Sequence, residues 1–218
     1  MRALIIADER RKNDILAGPV GKAEADVVEY DERWPDVSCY DFVVHTCLDE
    51  TPNDLDALTE ARFVFGSTVI TAFGEFPRRK GFVGFNGLPY FIGLSAWEIC
   101  TPDDDDFRRA QTLLQAIGIT ARRVNAGVGM VAPRILCMII NEAYRTAAEG
   151  TASIQDVETS MKLGVNYPYG PFEWAQKIGL ENVTAVLSAL AREYGPQYLP
   201  VPALKYARQG PSTVIGLG

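Results

Sequence analysis

Histidine is almost missing from this 218-residue chain, with His45 as its one example. Cysteine is scarce too: Cys39, Cys47, Cys100 and Cys137 are scattered, with no Cys-x-x-Cys pair. Metal chemistry needs ligands clustered in space and usually in sequence, so the composition argues against a metal protein. Three of the cysteines lie in apolar runs, where a free thiol serves as a small hydrophobe. That usage fits a reducing cytoplasm. Positive charge is in deficit, with 21 Lys and Arg against 28 Asp and Glu, a formal net charge of −7 and a pI near 4.8. This balance argues against nucleic acid or an anionic membrane as the main partner. It leaves a small anionic ligand open, because one local basic pocket is enough. No apolar window reaches transmembrane length, and the apolar stretch of MRALIIADERRKND is too short for a signal peptide. Internal repeats and biased tracts are also lacking.

The first half alternates short apolar runs with polar segments. Ala3–Ile6, Ala25–Tyr30, Asp41–Cys47, Arg62–Ser67 and Phe82–Gly87 are rich in β-branched and aromatic residues and bounded by breakers, with Ala96–Thr101 as a sixth candidate. Their continuous apolar character predicts strands buried on both faces, hence a mainly parallel α/β sheet. Thr101-Pro102 followed by four aspartates predicts a helix to about Ile117, with threonine as cap, proline in the first turn and acids at the positive dipole end. Gly118 ends it, and the segment from Thr120 leads out of the sheet. Beyond Val128 the pattern is helical only. A doubly apolar helix around Met130–Ala148 is followed by one capped at Ser153 and stopped at Gly164, two more up to Gly195, and a short helix before an irregular tail. The expected domains are 1–125 and 126–218.

The most informative segment is MKLGVNYPYGPFEWAQKIGL, Met161–Leu180. Its physics gives a helix end, a sharp turn at Tyr167-Pro168-Tyr169-Gly170-Pro171, and a new helix with proline in its first turn. Its wording closely resembles the C-terminal helical domain of the 3-hydroxyacyl-CoA dehydrogenases, where MKLG-x-x-YPMGPFE-L recurs. The resemblance implies a Rossmann-like α/β domain, here shortened, followed by an all-helical domain. It also implies NAD as cofactor, an acyl-CoA-like small molecule as ligand, and a homodimer formed through the helices.

Carried over residue by residue, Phe82–Cys100 resembles the family's FVG-x-HFFNP segment, which places Asn86 at the catalytic histidine and Glu98 at its partner glutamate. Gly66–Thr68 resembles the family's NTSS turn and puts Ser67 at the active-site serine. Asn125–Leu136 resembles D-x-PGFIVNRIL; Arg134 matches its arginine, and Pro133 stands at the substrate-positioning asparagine. Asp41–Glu50 resembles DLVIEAVxE, with His45 and Asp49 at the two glutamates.

A Rossmann domain uses Gly-x-Gly-x-x-Gly after its first strand so that backbone can approach a pyrophosphate at a helix N-terminus. Here Ala7-Asp8-Glu9-Arg10-Arg11-Lys12 follows, with no glycine before Gly18. Side chains are expected to fill the phosphate space, Asp8 and Glu9 to repel it, and the three basic residues to sit solvated in a loop. No residue is assigned to the cofactor. Asparagine cannot accept the hydroxyl proton as a histidine–glutamate pair does. The residues therefore imply a family member impaired or inactive as a dehydrogenase. Two alternatives stand beside that reading. One is a non-catalytic acyl-CoA-binding or assembly homologue, and the other a different reaction in the same cleft using Glu98 and Asn86.

Overall fold

The structure, a computed structural model, describes residues 1–207; the tail beyond the last short helix lies outside them. Two compact units divide at Met130 and Val131. In the first, every expected apolar run becomes a strand: β1 Arg2–Ala7, β2 Glu24–Glu29, β3 Phe42–His45, β4 Val64–Ser67, β5 Phe82–Phe85 and β6 Ala96–Cys100. A seventh, β7 Thr120–Arg123, forms where the chain was expected to leave the sheet. It pairs with β6 from Ala96↔Thr120 to Ile99↔Arg123. An edge strand has one neighbour and one free side, so exposed Arg122 and Arg123 suit it, and no apolar run announces it.

The sheet order is β2-β1-β3-β4-β5-β6-β7. β1 to β5 run parallel, β6 is antiparallel to β5, and β7 follows β6. One strand lies outside β1, where the doubly wound order carries two. Alternation divides the side chains between two cores. Ile5, Val44, Phe65 and Phe85 pack against α1 Glu9–Ala17 and α3 Asp104–Ala116 through Ile15 and Leu114. Leu4, Ile6, Val43 and Phe82 face the other way, onto Leu48, Leu55 and Phe76. On that second face the connections hold only α2 Asp54–Ala57 and three-residue turns of helix.

The helix starts are polar and local. Asp103, not Thr101, caps α3, accepting from the N–H groups of Asp105 at 2.8 Å and Asp106 at 2.9 Å. Thr101 Oγ1 instead accepts from the Asp103 N–H at 3.2 Å, one step before the helix. A carboxylate at the cap takes two orphan donors and meets the helix dipole, which a hydroxyl does less well. Gly118, at φ +82°, closes α3 as expected.

The second unit holds α4 Ala132–Ala148, α5 Ile154–Gly164, α6 Pro171–Ile178, α7 Leu180–Tyr194 and α8 Pro202–Ala207. Buried Asn141 of α4 ties down the chain after α7, donating to Leu199 O at 3.0 Å and accepting from the Val201 N–H at 2.9 Å. Ser153 caps α5 as expected. The corner between α5 and α6 has a different cause from the one expected. Gly170 has an ordinary extended backbone, φ −77° and ψ 169°. A Cβ there would lie 1.9 Å from Glu158 Oε2. The buried Glu158 carboxylate sits there to accept from the N–H groups of Phe172 at 2.6 Å and Glu173 at 3.3 Å, satisfying the first turn of α6. Glycine here leaves room for the Glu158 carboxylate and does not supply unusual backbone angles. Among the described residues, no helix is long and apolar enough to cross a membrane.

Candidate functional site

In an open α/β sheet, ligands lie beyond the carboxyl ends of the strands where the order reverses. Here that point falls between β1 and β3. Asp8 follows β1 directly and caps α1, its Oδ1 accepting from the Arg11 N–H at 2.7 Å. The three basic residues expected in a solvated loop therefore lie on the first turns of a helix. Arg11 turns inward and is only 3% exposed. Its Nε donates to Gly87 O at 3.1 Å, Nη2 to Glu50 Oε1 at 2.6 Å, and Nη1 to Asp8 Oδ2 and to Cys47 Sγ. Burial alone would depress this guanidinium; the Coulombic pull of Cys47, Glu50 and Asp8 outweighs it and the pKa is raised. One side chain thus binds the ends of β1, β3 and β5 together.

The space beside it is equally committed. A Cβ on Gly87 would lie 2.5 Å from Ser67 Cβ and 2.8 Å from Thr46 O. Ser67 ends β4, and its hydroxyl donates to Asp49 Oδ2 at 2.6 Å. Asp49 also accepts from the N–H groups of Val69 at 2.7 Å, Ile70 at 3.1 Å and Thr71 at 2.8 Å. Burial pushes the Asp49 carboxyl up while these donors pull against it. This carboxylate staples the turn after β4, and Ser67 is part of the staple. A sequence reading that pairs Ser67 with an active-site serine does not foresee that arrangement.

Asn86 follows β5, is buried, and its Oδ1 accepts from the Leu88 N–H at 3.3 Å. Glu98 lies half-buried in the middle of β6. The antiparallel register pairs Gly84 with Cys100 and Phe85 with Ile99, and Asn86 lies one residue past the end of β5. His45 is elsewhere: it ends β3 fully buried, with Nε2 3.1 Å from Asp54 Oδ2 and its ring edge-on to Trp34. Burial drives its pKa down to about 4, so the imidazole is neutral near pH 7. Among the described residues, no group of three His, Cys, Asp or Glu side chains is placed to hold a metal ion.

A dinucleotide pyrophosphate needs an open backbone and unspent N–H groups at a helix N-terminus. Here the Asp8 carboxylate holds that position on α1 and the Arg11 guanidinium fills the crevice behind it. These residues do not fit the group. The sequence signal for this arrangement was the Asp8-x-x-Arg11 spacing, which suits an N-cap, but the partners Glu50 and Gly87 are 39 and 76 residues away. In the second unit, Pro133 is buried at the second position of α4. Arg134 stacks its guanidinium on Tyr194 at 4.3 Å and Tyr198 at 4.9 Å. Both serve packing.

Residues 129–209 match the family model described as 3-hydroxyacyl-CoA dehydrogenase, C-terminal domain. The chain is 40% identical to the 3-hydroxyadipyl-CoA dehydrogenase of Escherichia coli over 103 residues, which are 47% of this chain and 22% of that protein. It is 25% identical to a 3-hydroxybutyryl-CoA dehydrogenase of Bradyrhizobium diazoefficiens over 197 residues, 82% of this chain and 67% of that one. Against the first curated relatives it matches, the chain spans 22% to 39% of their length. In fold it resembles the crystal structure of an (S)-3-hydroxybutyryl-CoA dehydrogenase from Ralstonia eutropha, with a TM-score of 0.74, 19% identity, and coverage of 95% of this chain and 93% of that one.

Proposed function

Because the chain belongs to the 3-hydroxyacyl-CoA dehydrogenase family through the C-terminal domain it carries, we propose that it is a member impaired or inactive in hydride transfer that keeps the scaffold to bind an acyl-CoA-like thioester. The observation that carries this reading is the Arg11 cluster. The family is NAD-dependent, and here a buried arginine with its carboxylates takes the crevice the pyrophosphate would use. A second observation points the same way. The carboxamide of Asn86 stands at the position of the family's histidine, and it cannot take a proton at neutral pH. Loss of a positioned base costs roughly a hundred- to ten-thousandfold in rate. The alternative of another reaction in this cleft, with Glu98 moving a proton beside the Asn86 amide, is suggested by Asn86 following β5 directly and Glu98 lying on the neighbouring β6.

The helical unit is proposed to pair with a second copy. Val131 and Ile135 lie exposed one turn apart at the start of α4, and Leu163 and Val165 are exposed at the end of α5.

The test is a titration of the purified protein with NADH, read by nucleotide fluorescence, alongside a calorimetric titration with acetoacetyl-CoA and an assay for its reduction. The expected result is binding of the thioester with no nucleotide saturation and no turnover. NADH oxidation driven by acetoacetyl-CoA would end this reading, and NADH binding without turnover would remove the filled crevice that carries it.

A further inference from the structure

The opposite edge of the same sheet is built differently. Because β6 runs against β5, the start of β5 at Phe82 lies by the end of β6 at Cys100 and Thr101, and β7 ends there too at Arg123. This end of the sheet is opposite to the carboxyl ends of β1, β4 and β5, where Arg11, Ser67 and Asn86 lie. A groove of about 850 Å³ opens here. Small-molecule sites fall in roughly the 300–1,000 Å³ range.

Its floor is aromatic. Phe73 lies stacked on Phe82, centroids 5.0 Å apart, and Phe76 meets Phe82 edge-on at 5.7 Å. Its rim is cationic, with consecutive Arg78, Arg79 and Lys80, joined by Arg123. Two carboxylates also line it, and both are already engaged. Asp106 accepts from the Gly81 N–H with both oxygens at 3.0 Å, and Asp103 caps α3. Arg123 is held by Asp104 at 2.6 Å. Arg79 gives Nη2 to the carbonyls of Thr59 and Ala61, and its buried Nη1 has no acceptor among the described residues. In a chain with formal net charge −7, this wall concentrates positive charge over apolar rings.

We propose that this groove binds an oxyanion, carboxylate or phosphate, borne on a flat apolar body. Half-buried Phe73, backed by the buried ring of Phe82, takes the body, and Arg78, Arg79 and Lys80 take the anion. Guanidinium forks match such oxyanions bidentately, and rings accept flat partners in offset stacking. This site owes nothing to the carboxyl-end cleft and stands whether or not that cleft is active.

The test is calorimetric titration of the full chain with phenyl phosphate, benzoate and inorganic phosphate. Burial of the ring is expected to make phenyl phosphate bind about tenfold tighter than inorganic phosphate. The Arg78→Ala, Lys80→Ala double variant changes exposed side chains and keeps the fold, and it is expected to weaken phenyl phosphate by about tenfold. A Lys22→Ala, Arg33→Ala double variant, which removes the same two positive charges elsewhere, leaves the affinity unchanged. Benzoate against phenyl phosphate identifies the preferred oxyanion. Equal affinity for phenyl and inorganic phosphate would overturn the proposal, and so would a double variant that binds as the unaltered protein does.

Discussion

Arg11 and Arg79 stand near opposite ends of one sheet, and both have guanidinium nitrogen out of water. Arg11 is met by two carboxylates, a thiol and a carbonyl, and its pKa is raised. Arg79 is met by two carbonyls, burial lowers its pKa, and only Glu60 works against that. A guanidinium surrounded by carboxylates is neutralised by its own chain and asks for no ligand. One hydrogen-bonded to carbonyls, with Glu60 as its acidic neighbour, keeps more of its charge for whatever enters the neighbouring groove. The end of the fold where relatives would be expected to bind is closed by internal ion pairing, and the end with no such expectation is open.

The strongest way to break this comparison is Arg11→Met, which keeps most of the volume and removes the charge. Removing one partner of a buried pair costs about 3–5 kcal/mol. Asp8 and Glu50 are partly exposed and regain water, so the lower end of that range, about 3 kcal/mol, is expected in urea denaturation. A loss under about 1 kcal/mol would mean that the cluster is not what holds the strand ends together. The variant is not expected to gain NADH binding, because the Asp8 carboxylate still caps α1.

His45, at the carboxyl end of β3, sharpens the contrast through pH. Its folded pKa of about 4 lies below the ordinary 6.5. The unfolded chain therefore takes up the proton first. The stability associated with the neutral imidazole is complete above pH 6.5 and is lost as the pH falls towards 4, by about 3 kcal/mol in total. His45→Gln retains a donor towards Asp54 and titrates nowhere. The stability of wild type minus variant, followed from pH 7 to pH 4, is expected to decline through that window. A flat difference would show that the histidine reaches water more readily than its burial implies.

The comparison was only half legible in the sequence. Apolar runs such as Phe42–Val44 and Phe82–Phe85 announce buried strands because both faces must be covered. Thr120–Arg123 announces nothing, because an edge strand is held by backbone bonds to one neighbour. The corner at Gly170 can be read as a motif, but its cause cannot, since the Glu158 carboxylate that occupies the Cβ space comes from the preceding helix. Asn86 and Glu98 rest on family wording alone, Asn86 just past β5 and Glu98 within the adjacent β6. Ser67 rests on the same wording, which does not foresee the hydrogen bond it donates to Asp49, 18 residues away. The basic run after β1 looked solvated because charge on a short segment usually is; the buried partners that draw Arg11 inward arrive from distant strands. Local chemistry was readable, and long-range pairing of charges was not.

The smallest effects separate the two ends most cleanly, because they involve one methyl group each. At the closed end a Cβ on Gly87 would meet Ser67 Cβ at 2.5 Å and the Thr46 carbonyl at 2.8 Å. Backbone and a stapled side chain cannot yield cheaply, so Gly87→Ala is expected to cost about 2 kcal/mol. At the open end Gly74 lines the groove, and a Cβ there meets nothing within 4 Å. Its φ lies outside the left-handed region, so alanine adopts the native backbone and restricts the unfolded chain. Gly74→Ala is therefore expected to be neutral or to stabilise by about 0.5 kcal/mol. Both are read from urea midpoints at an unchanged denaturant slope. If the two alanines cost the same, the closed end has slack that the distances deny, and the case for a crevice sealed by its own side chains fails with it.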